Sequence, residues 1–284
     1  MKKTCIVLII VMLAALAVSG CGGNAEEESG DQGLPLITCM AGGDALEEVM
    51  GTLEEAGLGN VDIVRDRVSE FNELAGPDCG LAAGWVSPGE LSVDVTKTMD
   101  GWENNRDYSD ANCRITAFTL LGDKVEVGNP VSDYDGTYLM FDLDAVDNAE
   151  EYASVRENRS GFISLYGEFP LGKDQDLGEA YLSMIKERGI RFPEGKARLI
   201  NVVIADPDFG VAFIGHTGVV CDTGKGYLYF EKVAFEQQYN AIRADSLEDI
   251  AEILAARPEY YGEEGTQGPL IYCGEELIKD CSSR

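Results

Sequence analysis

The chain has 284 residues, of which 51 are acidic, 22 are lysine or arginine and one is histidine, so its formal net charge is −29 at pH 7. This charge argues against binding to nucleic acid or to anionic lipid headgroups, because a strongly acidic surface repels both. A single histidine excludes paired-histidine zinc motifs, and the sequence has no Asp-x-Asp-x-Asp-Gly calcium loop, so we expect no metal and no other cofactor.

The N-terminus has the pattern of a bacterial export signal. Lys2 and Lys3 precede an uncharged apolar run over residues 4–18, which is too short to span a bilayer. The following Ser19-Gly20-Cys21 resembles the lipobox of bacterial lipoproteins. An ordinary signal peptide needs no cysteine at the cleavage site, and a retained membrane anchor needs more length. We therefore expect residues 1–20 to be removed and Cys21 to be acylated, which would hold the protein on the outer face of the cell membrane.

A flexible tether and one folded domain are expected after the signal. Residues 21–33 are acidic and contain no large apolar side chain, so they cannot bury enough surface to offset their chain entropy. Residues 34–284 are enough for a single domain. Without the two lysines of the signal, the mature chain keeps 20 basic and 51 acidic residues and a formal charge of −31. We therefore expect the acyl chains, and not surface charge, to provide the contact with membrane lipid.

Helical patterns dominate the first two thirds of the chain. Periodic apolar residues predict helices over 46–53, 64–74, 113–121 and 177–188, and Tyr138-Leu139-Met140-Phe141 predicts a strand. Asp44 and Glu47 have the spacing of a capping pair for the first helix. The stretch 78–110 is rich in turns and gives no clear assignment.

The last third of the sequence is dominated by strand-forming residues. Three β-rich runs over 197–205, 211–221 and 227–235 are separated by turn sequences and predict an antiparallel meander, which a helix over 246–256 follows. Helices first and sheet later predict an α+β fold, with N-terminal helices followed by an antiparallel sheet.

Cys113 and His216 are the candidate catalytic pair. Asp110 or Asn112 would cap the helix that begins at Cys113, and the unpaired N–H groups there favour a thiolate. His216 lies in the second strand of the meander, and the hairpin returns Glu231 beside it, with Gln237 or Gln238 as the fallback. This order of cysteine on a helix, then histidine on a strand, is that of papain-like thiol hydrolases. Each residue alone is more often structural, a small core cysteine or a hydrogen-bonded histidine.

Three segments resemble a known family. Asn112-Cys113-Arg114-Ile115-Thr116-Ala117-Phe118, Phe213-Ile214-Gly215-His216-Thr217-Gly218-Val219 and Phe230-Glu231-Lys232-Val233-Ala234-Phe235 are similar, in order, to domain of unknown function 4300. The resemblance runs from about residue 38 to the C-terminus. That family is bacterial and includes many lipoproteins, but it has no established activity.

A more distant resemblance is to the NlpC-type cell-wall peptidases. Their histidine segment, His-Val-Gly-Ile, is comparable to residues 216–219, and their third polar residue lies one strand later, near Glu231. This implies a papain-like core with Cys113 as nucleophile, His216 as base and Glu231 as orienting group. Their usual Asp-Cys-Ser-Gly is replaced here by Asn-Cys-Arg-Ile at 112–115. We expect Arg114 to pair with a surface acid rather than a substrate carboxylate.

Six cysteines remain outside the signal and the lipidation site. Their pairing is open among Cys39, Cys79, Cys221, Cys273 and Cys281 if Cys113 is a working thiol, and Cys273 with Cys281 is the simplest loop. The leading hypothesis is an envelope-anchored cysteine amidase or peptidase that acts on cell-wall peptides. A non-enzymatic binding lipoprotein is the alternative, whereas a two-lobed transport receptor fits the single sheet poorly.

Overall fold

The computed structural model describes residues 33, 35–103, 106–263 and 265–282. The predicted signal peptide, the predicted acylation site Cys21 and nearly all of the predicted tether lie outside the described residues. In the part of the chain that is described, no helix is both long enough and apolar enough to cross a membrane.

Helices and short strands alternate before a long run of sheet. The helices are α1 (Gly43–Glu55), α2 (Val61–Ala75), α3 (Val95–Glu103), α4 (Cys113–Leu121), α5 (Met140–Asn148), α6 (Ala153–Glu157), α7 (Arg159–Tyr166), α8 (Leu177–Arg188) and α9 (Leu247–Ala255). The strands are β1 (Leu36–Thr38), β2 (Glu126–Val127), β3 (Phe169–Pro170), β4 (Ile190–Arg191), β5 (Ala197–Asp206), β6 (Val211–Asp222), β7 (Tyr227–Lys232), β8 (Tyr239–Ala244), β9 (Leu270–Cys273) and β10 (Glu276–Asp280).

The predicted meander forms the centre of a wider antiparallel sheet. Its strand order is β1-β8-β7-β6-β5-β9-β10, with β3 paired to the start of β6 and β2–β4 forming a separate small sheet. The α+β fold class predicted from the sequence is therefore confirmed. The added strands were not predicted, because each is short or follows a stretch of turns.

Side chains on opposite faces of this sheet belong to two cores. Successive residues of a strand point to opposite faces, so Phe230 of β7 joins the larger core with α4, whereas Tyr229 joins a smaller core with α9. A bulge in β6 changes this alternation, because Val202 pairs with His216 but Val203 pairs with Ile214. His216 consequently lies on the face that α9 covers.

Two local predictions are wrong. Helix α1 begins at Gly43 after Gly42, and no side chain caps it, so Asp44 is not the cap. Tyr138 to Phe141 is not a strand, because α5 begins at Met140. A run of four apolar residues does not distinguish strand from helix. Tyr138 instead stacks on Phe213 of β6 at 3.8 Å between ring centroids, while Phe141 is 69% exposed.

Candidate active site

Cys113 is the first residue of α4, as predicted from the sequence. The Asn112 side chain is the cap, since its oxygen accepts a hydrogen bond from the Ile115 N–H at 3.0 Å. The Cys113 N–H therefore precedes the regular hydrogen bonds of the helix, on the side where the helix dipole favours negative charge. Cys113 is only 6% exposed, so the residue is buried.

His216 lies between Cys113 and a buried carboxylate. Its Nε2 is 2.6 Å from Oε2 of Glu231, so Glu231, and not Gln237 or Gln238, holds the imidazole. The side chain of Cys113 lies within hydrogen-bonding reach of His216 on the other side of the ring. Because Nε2 is engaged by Glu231, Nδ1 is the ring nitrogen that remains for the sulfur. The structure thus brings the three residues predicted from the sequence into one chain of contacts.

The electrostatics of the pair favour a thiolate and an imidazolium. Burial alone would raise the pKa of the Cys113 thiol, but the charge of His216, its hydrogen bond and the charge of Arg114 together lower that pKa. Burial likewise acts to lower the pKa of His216, whereas the charge of Cys113 and the hydrogen bonds to Cys113 and Glu231 raise it to about 9. These interactions therefore favour a proton on the imidazole rather than on the sulfur.

Glu231 is held in its charged form by a network that the sequence did not reveal. Arg257 donates Nη1 to Oε2 at 3.0 Å and also bonds Oε1, and Asn240 donates to Oε1 at 3.3 Å. Although burial opposes the charge, Arg257 and then His216 bring the pKa of Glu231 far below its usual range. Tyr260 accepts a hydrogen bond from Arg257 and stacks on His216 with ring centroids 5.7 Å apart. Arg257 and Tyr260 follow α9 in a Pro-containing turn, and no local pattern marks them.

Arg114 is bound to a buried acid and not to a surface acid. It forms two 2.8 Å hydrogen bonds with the Asp142 carboxylate and donates to the carbonyl of Ile214 at 3.1 Å. Asp142, which is 1% exposed, also accepts from Asn112 at 2.7 Å. The expected surface pairing of Arg114 is therefore wrong. Its guanidinium instead joins the start of α4 to β6, the strand that carries His216.

Three of the other thiols differ chemically from Cys113. Cys39, Cys79, Cys113, Cys221 and Cys273 are free. The suggested bond from Cys273 to Cys281 is not formed, because Cys273 faces Glu276 near the turn of the β9–β10 hairpin while Cys281 follows the opposite end of β10. Burial raises the pKa of Cys39 and Cys273 to about 11 and that of Cys221 to about 12.

The site is closed to solvent in this conformation. His216 is 2% exposed and Glu231 is 1% exposed, and the Tyr260 ring covers one side of the imidazole. A substrate can therefore reach the Cys113–His216 pair only after some of the surrounding structure moves. Among the described residues, no group of three or more His, Cys, Asp or Glu side chains is arranged to hold a metal ion.

Comparison with known proteins gives a family and no activity. No curated protein and no solved structure matches the chain. One family model, described as Domain of unknown function (DUF4300), matches residues 37–278, which include all of the elements around Cys113 and His216. The chain belongs to this family of unknown function.

Proposed function

We propose that this chain is a membrane-anchored lipoprotein that acts at the cell envelope as a papain-like cysteine amidase or peptidase. The observation that carries the proposal is the placement of His216, which contacts Cys113 on one side and Glu231 on the other. Two isolated core residues have no need of a buried carboxylate at 2.6 Å or of a thiol with a lowered pKa.

The chemistry follows the roles of the three groups. The Cys113 thiolate attacks the carbonyl carbon of an amide, and the backbone N–H groups at the start of α4 stabilise the oxyanion that forms. The His216 imidazolium gives its proton to the leaving amine as the carbon–nitrogen bond breaks, which leaves a thioester. His216, now neutral, then takes a proton from water as the water attacks the thioester, and the carbon–sulfur bond breaks to release the acid product and to restore the thiolate–imidazolium pair. Glu231 stays charged and orients the ring throughout.

Peptides of the cell wall are the substrate class we propose. The motif at Cys21 would place the domain on the membrane surface, and residues 22–33 would let it reach nearby wall peptides. The resemblance of residues 216–219 to the histidine segment of NlpC-type peptidases supports the same class. The fixed position of Arg114 on Asp142 means that a substrate carboxylate must be recognised by another group.

Alkylation with iodoacetamide tests the proposal directly. At neutral pH, Cys113 should react faster than Cys221 or Cys273, because only its pKa is lowered. The His216→Ala variant should label Cys113 more slowly, whereas a Cys221→Ser control should leave the rate unchanged. Equal, slow labelling of Cys113 in the wild type and in His216→Ala would refute the proposal.

A binding function is the second candidate, and the closed site favours it. A cavity of about 410 Å³ lies away from Cys113, between the loop that follows β1 and the end of α2, and it is lined by Met40, Leu46, Asn72 and Pro77 among others. A Cys113→Ala variant that retains affinity for cell-wall peptides and the cellular role of the wild type would favour binding without catalysis.

A further inference from the structure

The residue after Glu231 is a buried lysine that contacts the segment leading to Cys113. Lys232 ends β7 and is 0% exposed, and its Nζ is 3.0 Å from Oδ2 of Asp110. The ammonium group also lies 3.6 Å from the ring centroid of Phe71 and 4.5 Å from that of Tyr239. Burial outweighs the attraction of Asp110 and lowers the pKa of Lys232 to about 8. An apolar side chain would avoid this desolvation, so the lysine needs an explanation other than packing.

Asp110 holds the backbone that enters α4. Its Oδ1 accepts the N–H of Ala111 at 2.8 Å and a hydrogen bond from Arg106 at 3.1 Å. Ala111 is followed by Asn112, the cap of α4, and then by Cys113. The contact from Lys232 therefore acts on the chain three residues before the nucleophile.

The side chains of Glu231 and Lys232, which point to opposite faces of β7, connect the strand to His216 on one face and to Asp110 on the other. Neighbouring side chains on a strand point to opposite faces and are separated by about 3.3 Å along the chain. Glu231 consequently holds His216 on the α9 face, while Lys232 holds Asp110 on the α4 face. Any shift of the end of β7 would move both contacts together.

We propose that Lys232 is a positioning residue, which through Asp110 sets the start of α4 at the distance from His216 that the thiolate–imidazolium pair requires. This inference rests on the proposed function of Cys113 and His216. Lys232 does not touch the reacting atoms. Its effect should appear in the ionisation of the Cys113 thiol and not only in the stability of the fold.

The variant Lys232→Met tests this when it is compared with Arg67→Met. Arg67 is a matched control, because it is also a buried cation over an aromatic ring, 4.8 Å from the centroid of Tyr152. It also contacts α4, but through Thr119 near the C-terminal end of the helix, at 3.1 Å. Each variant is assayed in the full-length protein for its melting temperature and for the pH dependence of Cys113 alkylation.

Both variants should melt at a lower temperature than the wild type, but only Lys232→Met should change the alkylation profile. We expect the midpoint of its profile to rise by about one pH unit, which lowers the labelling rate at pH values under that midpoint about tenfold. Arg67→Met should keep the profile of the wild type. A folded Lys232→Met protein with an unchanged profile would overturn the proposal.

Asp110→Asn provides a second variant if Lys232→Met does not fold. It preserves the volume of the side chain and an oxygen for the Ala111 N–H, but it removes the charge that Lys232 contacts. An upward shift of the alkylation profile supports the positioning role, and an unchanged profile overturns it. Failure of the proposed function is distinguishable, because it appears as slow labelling of Cys113 in the wild type that does not depend on His216.

Discussion

Replacing Glu231 with glutamine removes the charge at the centre of the buried network. Glutamine preserves the shape of the side chain, but its NH2 group cannot accept the hydrogen bonds that the carboxylate accepts from Arg257 and His216. The guanidinium of Arg257, whose side chain is 15% exposed, also loses this counter-charge. Removing one partner of a buried ion pair costs about 3–5 kcal/mol. We expect the free energy of unfolding of Glu231→Gln to fall by that amount.

The loss should be measurable by both heat and denaturant. For a domain of this size, 1 kcal/mol corresponds to a shift of about 2–4 °C in melting temperature, so the variant should melt about 6–20 °C lower. The matched control is Glu252→Gln, since Glu252 pairs with Lys279 at 2.5 Å but its side chain is 60% exposed. An exposed pair of this kind contributes less than about 1 kcal/mol. If the two variants lose equal stability, the reasoning about the buried network is wrong.

The stability difference between the wild type and Glu231→Gln should depend on pH in a defined direction. Because the pKa of Glu231 in the folded protein lies far below the ordinary glutamate value of 4.5, its contribution to stability is present above about pH 4.5 and is lost as the pH falls toward the folded pKa. The difference in unfolding free energy between the wild type and Glu231→Gln should therefore be largest near neutral pH and should shrink in acid. A difference that grows as the pH falls would contradict this.

Two further predictions concern the pH dependence of the proposed activity and the space available at two glycines. The proposed hydrolysis by Cys113 and His216 should show a bell-shaped pH profile: its acid limb should lie below the ordinary thiol pKa, and its alkaline limb near the His216 pKa of about 9. A profile that still rises above pH 10 would exclude the imidazolium as the proton donor. Gly218→Ala should destabilise the fold by about 1–3 kcal/mol, because its new Cβ would lie 2.5 Å from the Tyr229 hydroxyl. Gly51→Ala, in α1 with open space around it, should instead stabilise by about 0.5–1 kcal/mol, and denaturant unfolding of both variants checks the pair.

Local patterns predicted much of the candidate site. The limits of α4 follow from the polar cap Asn112 before a mostly apolar segment and from Gly122 after it, and these are properties of neighbouring residues. The approach of Glu231 to His216 follows from a hairpin whose turn lies between them, so a short-range argument places it within the uncertainty of register. The lipidation of Cys21 also rests on local sequence, and it stays a prediction because it lies outside the described residues.

Only the tertiary structure decided which distant residues complete the site. Arg257 reaches Glu231 across 26 residues, Asp142 reaches Arg114 across 28, and Lys232 reaches Asp110 across 122. Such pairs depend on how the helices pack on the two faces of the sheet, and no periodicity within one segment records that. The burial of Cys113, His216 and Glu231 is likewise a property of the tertiary structure.

The start of α5 shows the same limit on a smaller scale. The apolar residues 138–141 are compatible with strand or helix, and in the folded protein Tyr138 stacks on Phe213 of β6 while α5 begins at Met140. For this protein, the sequence was sufficient to predict the helix that begins at Cys113, the strand that carries His216 and the fold class, since these depend on local order. Packing decided the charges that surround the pair, because a buried charge is stable only where the whole fold brings its partners to it.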